Sequence, residues 1–209
     1  MSVITISRQY ASCGSDIAKL VSADIGWKLI DNELVDRVAQ RAGVSREEVE
    51  IREERVSSLI ERLAGALSLS SPYIYVGGSE TTTTPLPDEP NLAHITETVI
   101  SEAVRDENVV LVGRGAQAYL AEREDALHVF IVAPREARVK CAVERLEVSR
   151  REAEKSVDEF DKGRRKYVKV HYDRIWDDPT NYHLVLNTDE FSYREAADII
   201  VCAAKQRGW

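Results

Sequence analysis

Apolar residues recur along this chain in two periods, and the periods alternate. Val3–Ser7 is a short β-branched run and predicts a strand. Ser12–Ile25 changes to helical spacing, with Ile17, Leu20, Val21 and Ile25 on one face and Gly26 as the stop. Trp27–Asp31 predicts a second strand, and Asn32–Arg41 a helix that ends at Gly43. Ser45-Arg46-Glu47-Glu48 is a capping box. It opens a charged helix whose stripe of Val49, Val56, Ile60, Leu63 and Leu67 has near-heptad spacing. Residues 68–91 break the pattern with Ser, Gly, Thr and Pro, which predicts a flap or loop.

Helical spacing returns over Asn91–Arg105, followed by the apolar strand Val109–Val112 and then Gly113-Arg114-Gly115. His128–Ala133 is another apolar strand, and Pro134 starts a helix that reaches about Leu146. A second capping box, Ser149-Arg150-Arg151-Glu152, opens a highly charged helix to about His171. Tyr182–Thr188 predicts a last buried strand. Ser192-Tyr193-Arg194-Glu195 caps a final helix carrying Ala196, Ile199, Ile200 and Ala203. Strands that are apolar on both faces and alternate with helices predict a parallel sheet covered on both sides. Ligands of such sheets lie beyond the carboxyl ends of the strands. Residues 7–16, 31–37, 113–116, 133–138 and 188–190 therefore become the candidate site.

Composition narrows the function classes. The 209 residues are 44% hydrophobic and 31% charged, a globular mix for one domain with an inserted lid or flap. A net charge of −8 argues against a broad nucleic-acid surface, so any anion site is a local cluster of Arg and Lys. No apolar stretch approaches the ~18 residues of a membrane helix. The start Met1–Ile6 lacks a basic leader pattern, and three cysteines make no disulfide framework. A cytoplasmic protein without membrane partners is the expectation. His94, His128, His171 and His183 are dispersed without metal-ligand spacing.

The first strand feeds Arg8-Gln9-Tyr10-Ala11-Ser12-Cys13-Gly14-Ser15-Asp16, a loop of small residues before a helix. Loop amides and a helix N-terminus are the usual cradle for phosphate. The standard phosphate-loop pattern is not met, however, because the loop has one glycine and no lysine. A tight turn against the sheet remains the competing reading. Further segments recur in order: Leu29-Ile30-Asp31-Asn32-Glu33-Leu34, Leu111-Val112-Gly113-Arg114, Val129-Phe130-Ile131 with Arg138, Asp161–Tyr167, Trp176–Tyr182 and Asn187-Thr188. With the loop Ile4–Ala18, they resemble the cytidylate kinase-like family of phosphate-loop kinases over nearly the whole chain, apart from roughly residues 50–95.

The resemblance implies a three-layer α/β/α fold with a parallel sheet of about five strands. It is the phosphate-loop fold of nucleoside monophosphate kinases, with a helical lid and a helical acceptor-binding insert. A single domain would have its core at 1–36, 92–148 and 182–209, the insert at about 37–91 and the lid at about 149–181. The implied activity is phosphoryl transfer from ATP, with Mg²⁺, to a nucleoside monophosphate, CMP or dCMP first. The implied ATP-phosphate residues are Ala11, Ser12, Cys13, Gly14, Ser15 and Asp16. Arg8, Ser15, Arg164 and Arg165 would be catalytic, the arginines neutralising the transferring phosphoryl group. Asp31, Arg37, Arg114, Arg138 and Asp161 would hold the acceptor, and Ser15 with Asp16 the metal.

The loop also departs from the family, whose usual run is Gly-Ser-Gly-Gly-Arg. Here two glycines and the basic residue are missing, which predicts weakened ATP binding or turnover. A nucleotide-binding pseudo-kinase with a sensor or assembly role stays open as an alternative, and so does a small-molecule kinase with another acceptor. Cys13 reads either as a small substitute for glycine or as a redox-sensitive thiol at a helix N-terminus. The stripe Val49–Leu67 is compatible with a homodimer helix and equally with a core-facing one.

Overall fold

The computed structural model describes residues 1–31, 40, 41, 43 and 89–209. Arg37, the stripe Val49–Leu67 and nearly all of the expected acceptor-binding insert lie outside the described residues.

Five strands form one parallel sheet: β1 (Val3–Arg8), β2 (Lys28–Ile30), β3 (Val109–Val112), β4 (Ala126–Val132) and β5 (Leu184–Asn187), in the order β2-β3-β1-β4-β5. Val3 pairs with Val109 and Ala126, and Ile6 with Val112 and Val129, so β1 lies at the centre. The described helices are α1 (Gly14–Ile25), α2 (Glu89–Asp106), α3 (Ala116–Tyr119), α4 (Arg135–Leu146), α5 (Arg150–Tyr172) and α6 (Tyr193–Gln206). Both capping boxes expected near the C-terminal helices form: the Ser149 and Ser192 side chains accept from the Glu152 and Glu195 amides, and each glutamate reaches back.

The pleat sends alternate strand residues to opposite faces. Val3, Val109 and Leu111 meet Val99, Ile100 and Val104 of α2 on one face. Ile4, Ile6, Val110, Val129 and Ile131 meet Ile17 and Val21 of α1 and Ile200 of α6 on the other. Two smaller clusters set the position of α5. Its first half packs Ala153 and Val157 against Val139 and Ala142 of α4. Its second half packs Tyr167 and Val168 with Phe130 and Trp176. The segment expected as a lid is thus, over Arg150–Tyr172, one continuous helix seated at both ends.

Candidate active site

Every strand points its carboxyl end at the same edge, and the sheet order explains what assembles there. Arg8 ends β1, Asp31 follows β2, and Gly113 follows the strand between them. The Arg8 guanidinium crosses the end of β3 toward Asp31, with Nη2 3.9 Å from Oδ1. This crossing needs a residue without a side chain at 113: a Cβ there would lie 1.7 Å from Arg8 Nη1, and the backbone holds φ +74°. Gly14 is required in the same way, because a Cβ would lie 2.6 Å from Arg8 Cβ. The Arg164 side chain, from α5, donates to the Arg8 carbonyl at 2.8 Å. Arg8 is therefore held from three sides.

Two cavities flank this arginine. One, of about 40 Å³, is lined by Arg8, Arg114, Arg164, Gln117, Tyr167 and Trp176, together with Gly113 and Gly115. Three arginines line it, and although the Asp31 carboxylate offsets part of the Arg8 charge, the excess positive charge favours an anion. The other is an open cleft of about 370 Å³, bordered by Tyr10, Ala11, Cys13, Gly14, Ser15 and Asp16 on the loop side and by Cys141 and Arg145 on α4. Arg8 and Arg164 line both cavities and so stand at their junction.

The loop itself is shaped for backbone donation. Ala11 and Cys13 have left-handed φ of 59° and 61°, conformations in which consecutive amides can converge on an anion. Cys13 supplies no side-chain cap to α1, so the helix's first amides, at Gly14 and Ser15, are left for a ligand. The side chains are arranged differently from the sequence expectation. Ser12 is buried and its hydroxyl donates to the Gln9 carbonyl at 2.8 Å, with the Ile131 carbonyl 3.1 Å away. The Ser12 hydroxyl is thus a strut of the loop rather than a phosphate or metal contact. Asp16 is ion-paired with Arg145, and Ser15 brings an aliphatic hydroxyl to the cleft.

Two acceptor residues implied by the resemblance serve the loop instead. Arg138 and Asp161 form a buried ion pair at 2.7 Å, with side chains only 8% and 4% exposed. Arg138 also donates to the carbonyls of Ala133 (3.0 Å) and Tyr10 (3.2 Å), while Asp161 accepts from the Tyr10 amide at 2.8 Å. Stacking of Tyr10 on Phe160, at 4.4 Å between ring centres, completes the clasp. Charge burial of this kind needs all its partners, and in this structure both groups hold the loop. Arg165 is engaged elsewhere in this structure. It pairs with Asp177 at 2.7 Å, lies over Trp176 and borders neither cavity. Neighbouring positions on a helix are about 100° apart, so Arg164 and Arg165 cannot share one face.

Residues 3–190 match the cytidylate kinase-like family. The chain belongs to that family. No curated protein matches the chain. Among solved structures, an uncharacterized protein from Eubacterium ventriosum has a TM-score of 0.69 at 19% identity, covering 98% of this chain and 99% of the other. A shikimate kinase from Bacteroides thetaiotaomicron has a TM-score of 0.54 at 11% identity, covering 98% and 96%. A shikimate kinase from Acinetobacter baumannii, in complex with shikimate, has a TM-score of 0.51 at 13% identity, covering 99% and 94%. The α/β sheet of this cytidylate kinase-like chain is therefore that of phosphate-loop kinases, and its family ties it to nucleotide-dependent phosphotransfer in general. Among the described residues no helix is long and apolar enough to cross a membrane.

Gln117 in the small cavity and Cys141 and Arg145 on the cleft gave no sequence signal, while Tyr167 and Trp176 stood in family-like segments without a role of their own. Cys141 and Arg145 are four apart on a helix that the capping pattern does locate, so the face turned toward the loop was open to sequence reasoning once the loop was assigned.

Proposed function

We propose that this kinase-like chain transfers the terminal phosphoryl group of ATP to a nucleoside monophosphate, with CMP or dCMP as the acceptor. The observation that carries the reading is the position of Arg8 and Arg164 at the junction of an anion-favouring cavity and a cleft bordered by a phosphate-type loop. Phosphoryl transfer asks a protein mainly to position two substrates and to neutralise charge on the group that passes between them. Arg8 and Arg164 take that role, Arg114 holds the acceptor phosphate, and Asp31 keeps the Arg8 guanidinium aimed across the sheet edge. An acceptor phosphate oxygen is already nucleophilic, so a dedicated base is not needed. Tyr167 and Trp176 give the acceptor cavity aromatic walls.

The donor nucleotide fits the loop through its phosphates: left-handed Ala11 and Cys13, and the start of α1, which has no side-chain cap. Mg²⁺ would find the Ser15 hydroxyl as its protein oxygen, with the remaining positions left to phosphate and water, as this ion prefers. When bound, it would neutralise phosphate charge beside Arg8 and Arg164. A second reading, a small anionic acceptor, is favoured by the cavity volume of about 40 Å³, room for about three waters.

Arg114→Ala separates the acceptor from the donor site. Calorimetry should show monophosphate affinity reduced by about 2–3 kcal/mol, the scale of a charged hydrogen bond, with ATP affinity kept. Unchanged monophosphate affinity would remove Arg114 from the acceptor site.

A further inference from the structure

The donor-side cleft contains a pair of thiols that phosphoryl transfer does not use. Cys13 precedes the first turn of α1 and Cys141 lies on α4, 128 positions later, yet their sulfurs are 3.3 Å apart. Both are half-buried and both border the cleft, whereas Cys202 is exposed on α6. The Tyr193 hydroxyl donates to the Cys13 sulfur at 2.9 Å, and the Arg145 guanidinium lies 5.8 Å from the centre of the Tyr193 ring. Two sulfurs in van der Waals contact, with a polar partner fixing one of them and open access from a cleft, form a built site for a covalent bond.

We propose that Cys13 and Cys141 form a reversible disulfide when the protein meets a low-molecular-weight disulfide, and that this bond closes the phosphate loop to ATP. The sulfurs must approach by about 1 Å to reach a bond length near 2.05 Å. Cys13 reacts first, since its sulfur borders the cleft and is fixed there by the Tyr193 hydroxyl. Its thiolate attacks one sulfur of the small disulfide, the S–S bond breaks, and one small thiolate leaves. Cys141 then loses its proton to solvent and attacks the Cys13 sulfur of the mixed disulfide, expelling the second small thiolate. Two protein thiols are oxidised and one small disulfide is reduced to two thiols, so atoms and electrons balance.

The environment orders these steps. Burial, and then the hydrogen bond and charge of Cys13, push the Cys141 thiol up to about 11. Capping Cys13 removes its two contributions, while burial and Glu144 still raise the thiol and Arg145 lowers it. Cys141 thus becomes easier to ionise once the mixed disulfide exists. The bond would draw Cys13, at φ 61°, toward α4 and turn the Gly14 and Ser15 amides with it. This regulatory consequence depends on the donor-site reading of the loop; the bond itself does not.

The test treats the full chain with oxidised glutathione and reads intact mass and a non-reducing peptide map. The expected product is lighter by two hydrogens, with a Cys13–Cys141 cross-link that C202S retains. C141S should instead carry one glutathione on Cys13 and no cross-link. ATP affinity of the oxidised protein should fall by about tenfold or more, a change of ~1.4 kcal/mol, and dithiothreitol should restore it. Glutathione on Cys202 alone, with Cys13 and Cys141 still free thiols, would overturn the proposal. A cross-linked protein with unchanged ATP affinity would overturn its regulatory half. Reduced protein that binds no ATP would instead overturn the donor-site reading, while the mass measurement still decides the bond.

Discussion

Breaking the buried pair Arg138–Asp161 should unfasten the phosphate loop and cost more stability than any exposed ion pair of this protein. Asp161→Asn keeps an oxygen that can accept from the Tyr10 amide, but removes the charge that answers Arg138. Both side chains are almost fully buried, and their 2.7 Å contact leaves no room for water. An uncompensated buried charge costs about 3–5 kcal/mol, against ~0.2–1 kcal/mol for a surface pair. Arg138 would keep its donations to the Ala133 and Tyr10 carbonyls, which places the loss near the lower end, about 3 kcal/mol. Arg138→Met removes the other charge and those two donations, and the loss should be similar. The double variant removes both members of the 2.7 Å pair and leaves Arg164, which also lies 3.9 Å from Asp161, so its loss should be about 2 kcal/mol smaller than the sum of the singles. Urea unfolding of the four proteins measures the cycle. Single losses below ~1 kcal/mol, with acceptor affinity lost instead, would refute the positioning role and return both residues to direct acceptor contact.

Two further outcomes follow from the same geometry. Gly113→Ala should displace the Arg8 guanidinium, since the added carbon falls 1.7 Å from Nη1. Turnover should drop about 10²-fold, as for removal of one charge-stabilising group, while Tm changes modestly; unchanged turnover would show that Arg8 does not act on the transferring group. His128 is buried against His183, at 5.1 Å between ring centres, and its Nδ1 is 2.7 Å from the Thr5 hydroxyl. Burial first, and the neighbouring His183 second, lower its pKa to about 4. The unfolded chain therefore binds the proton more readily, and stability present at neutral pH is lost as pH falls from about 6.5 to 4. At ~1.36 kcal/mol per unit, the loss approaches 3 kcal/mol. His128→Gln should flatten this part of the acid-unfolding profile, and an unchanged acid slope would remove His128 as its source.

What the sequence disclosed was governed by the range of the interactions. Periodicity and capping are local, and they located β1, β3, the capping boxes at Ser149 and Ser192, and α6 to within a residue or two. The start of β4 at Ala126 and the short helix α3 were missed, because His128 and the glycines of 113–115 hide the pattern there. The family, and with it the loop after β1 and the arginine after β3, was legible from motifs. Side-chain partnership was not. Arg138 and Asp161 are 23 positions apart, and nothing in spacing says that they neutralise each other rather than a ligand. Arg165 illustrates the opposite limit: helix geometry alone would have turned it away from Arg164. Ser12 was drawn inward by the carbonyls of Gln9 and Ile131, a tertiary effect that overrides its role as the expected start of the helix.

Acceptor-dependent release of ADP is the direct test of phosphoryl transfer by this chain. With ATP and Mg²⁺ at millimolar concentration, a coupled assay across the nucleoside monophosphates and shikimate should show ADP formed with CMP or dCMP, well above the rate without an acceptor. Turnover should also require Arg8. ADP formed with shikimate and not with the monophosphates would move the acceptor to the small-anion reading. Binding of ATP with no ADP formed from any acceptor would contradict the central claim and make the chain a nucleotide-binding relative of these kinases without their activity.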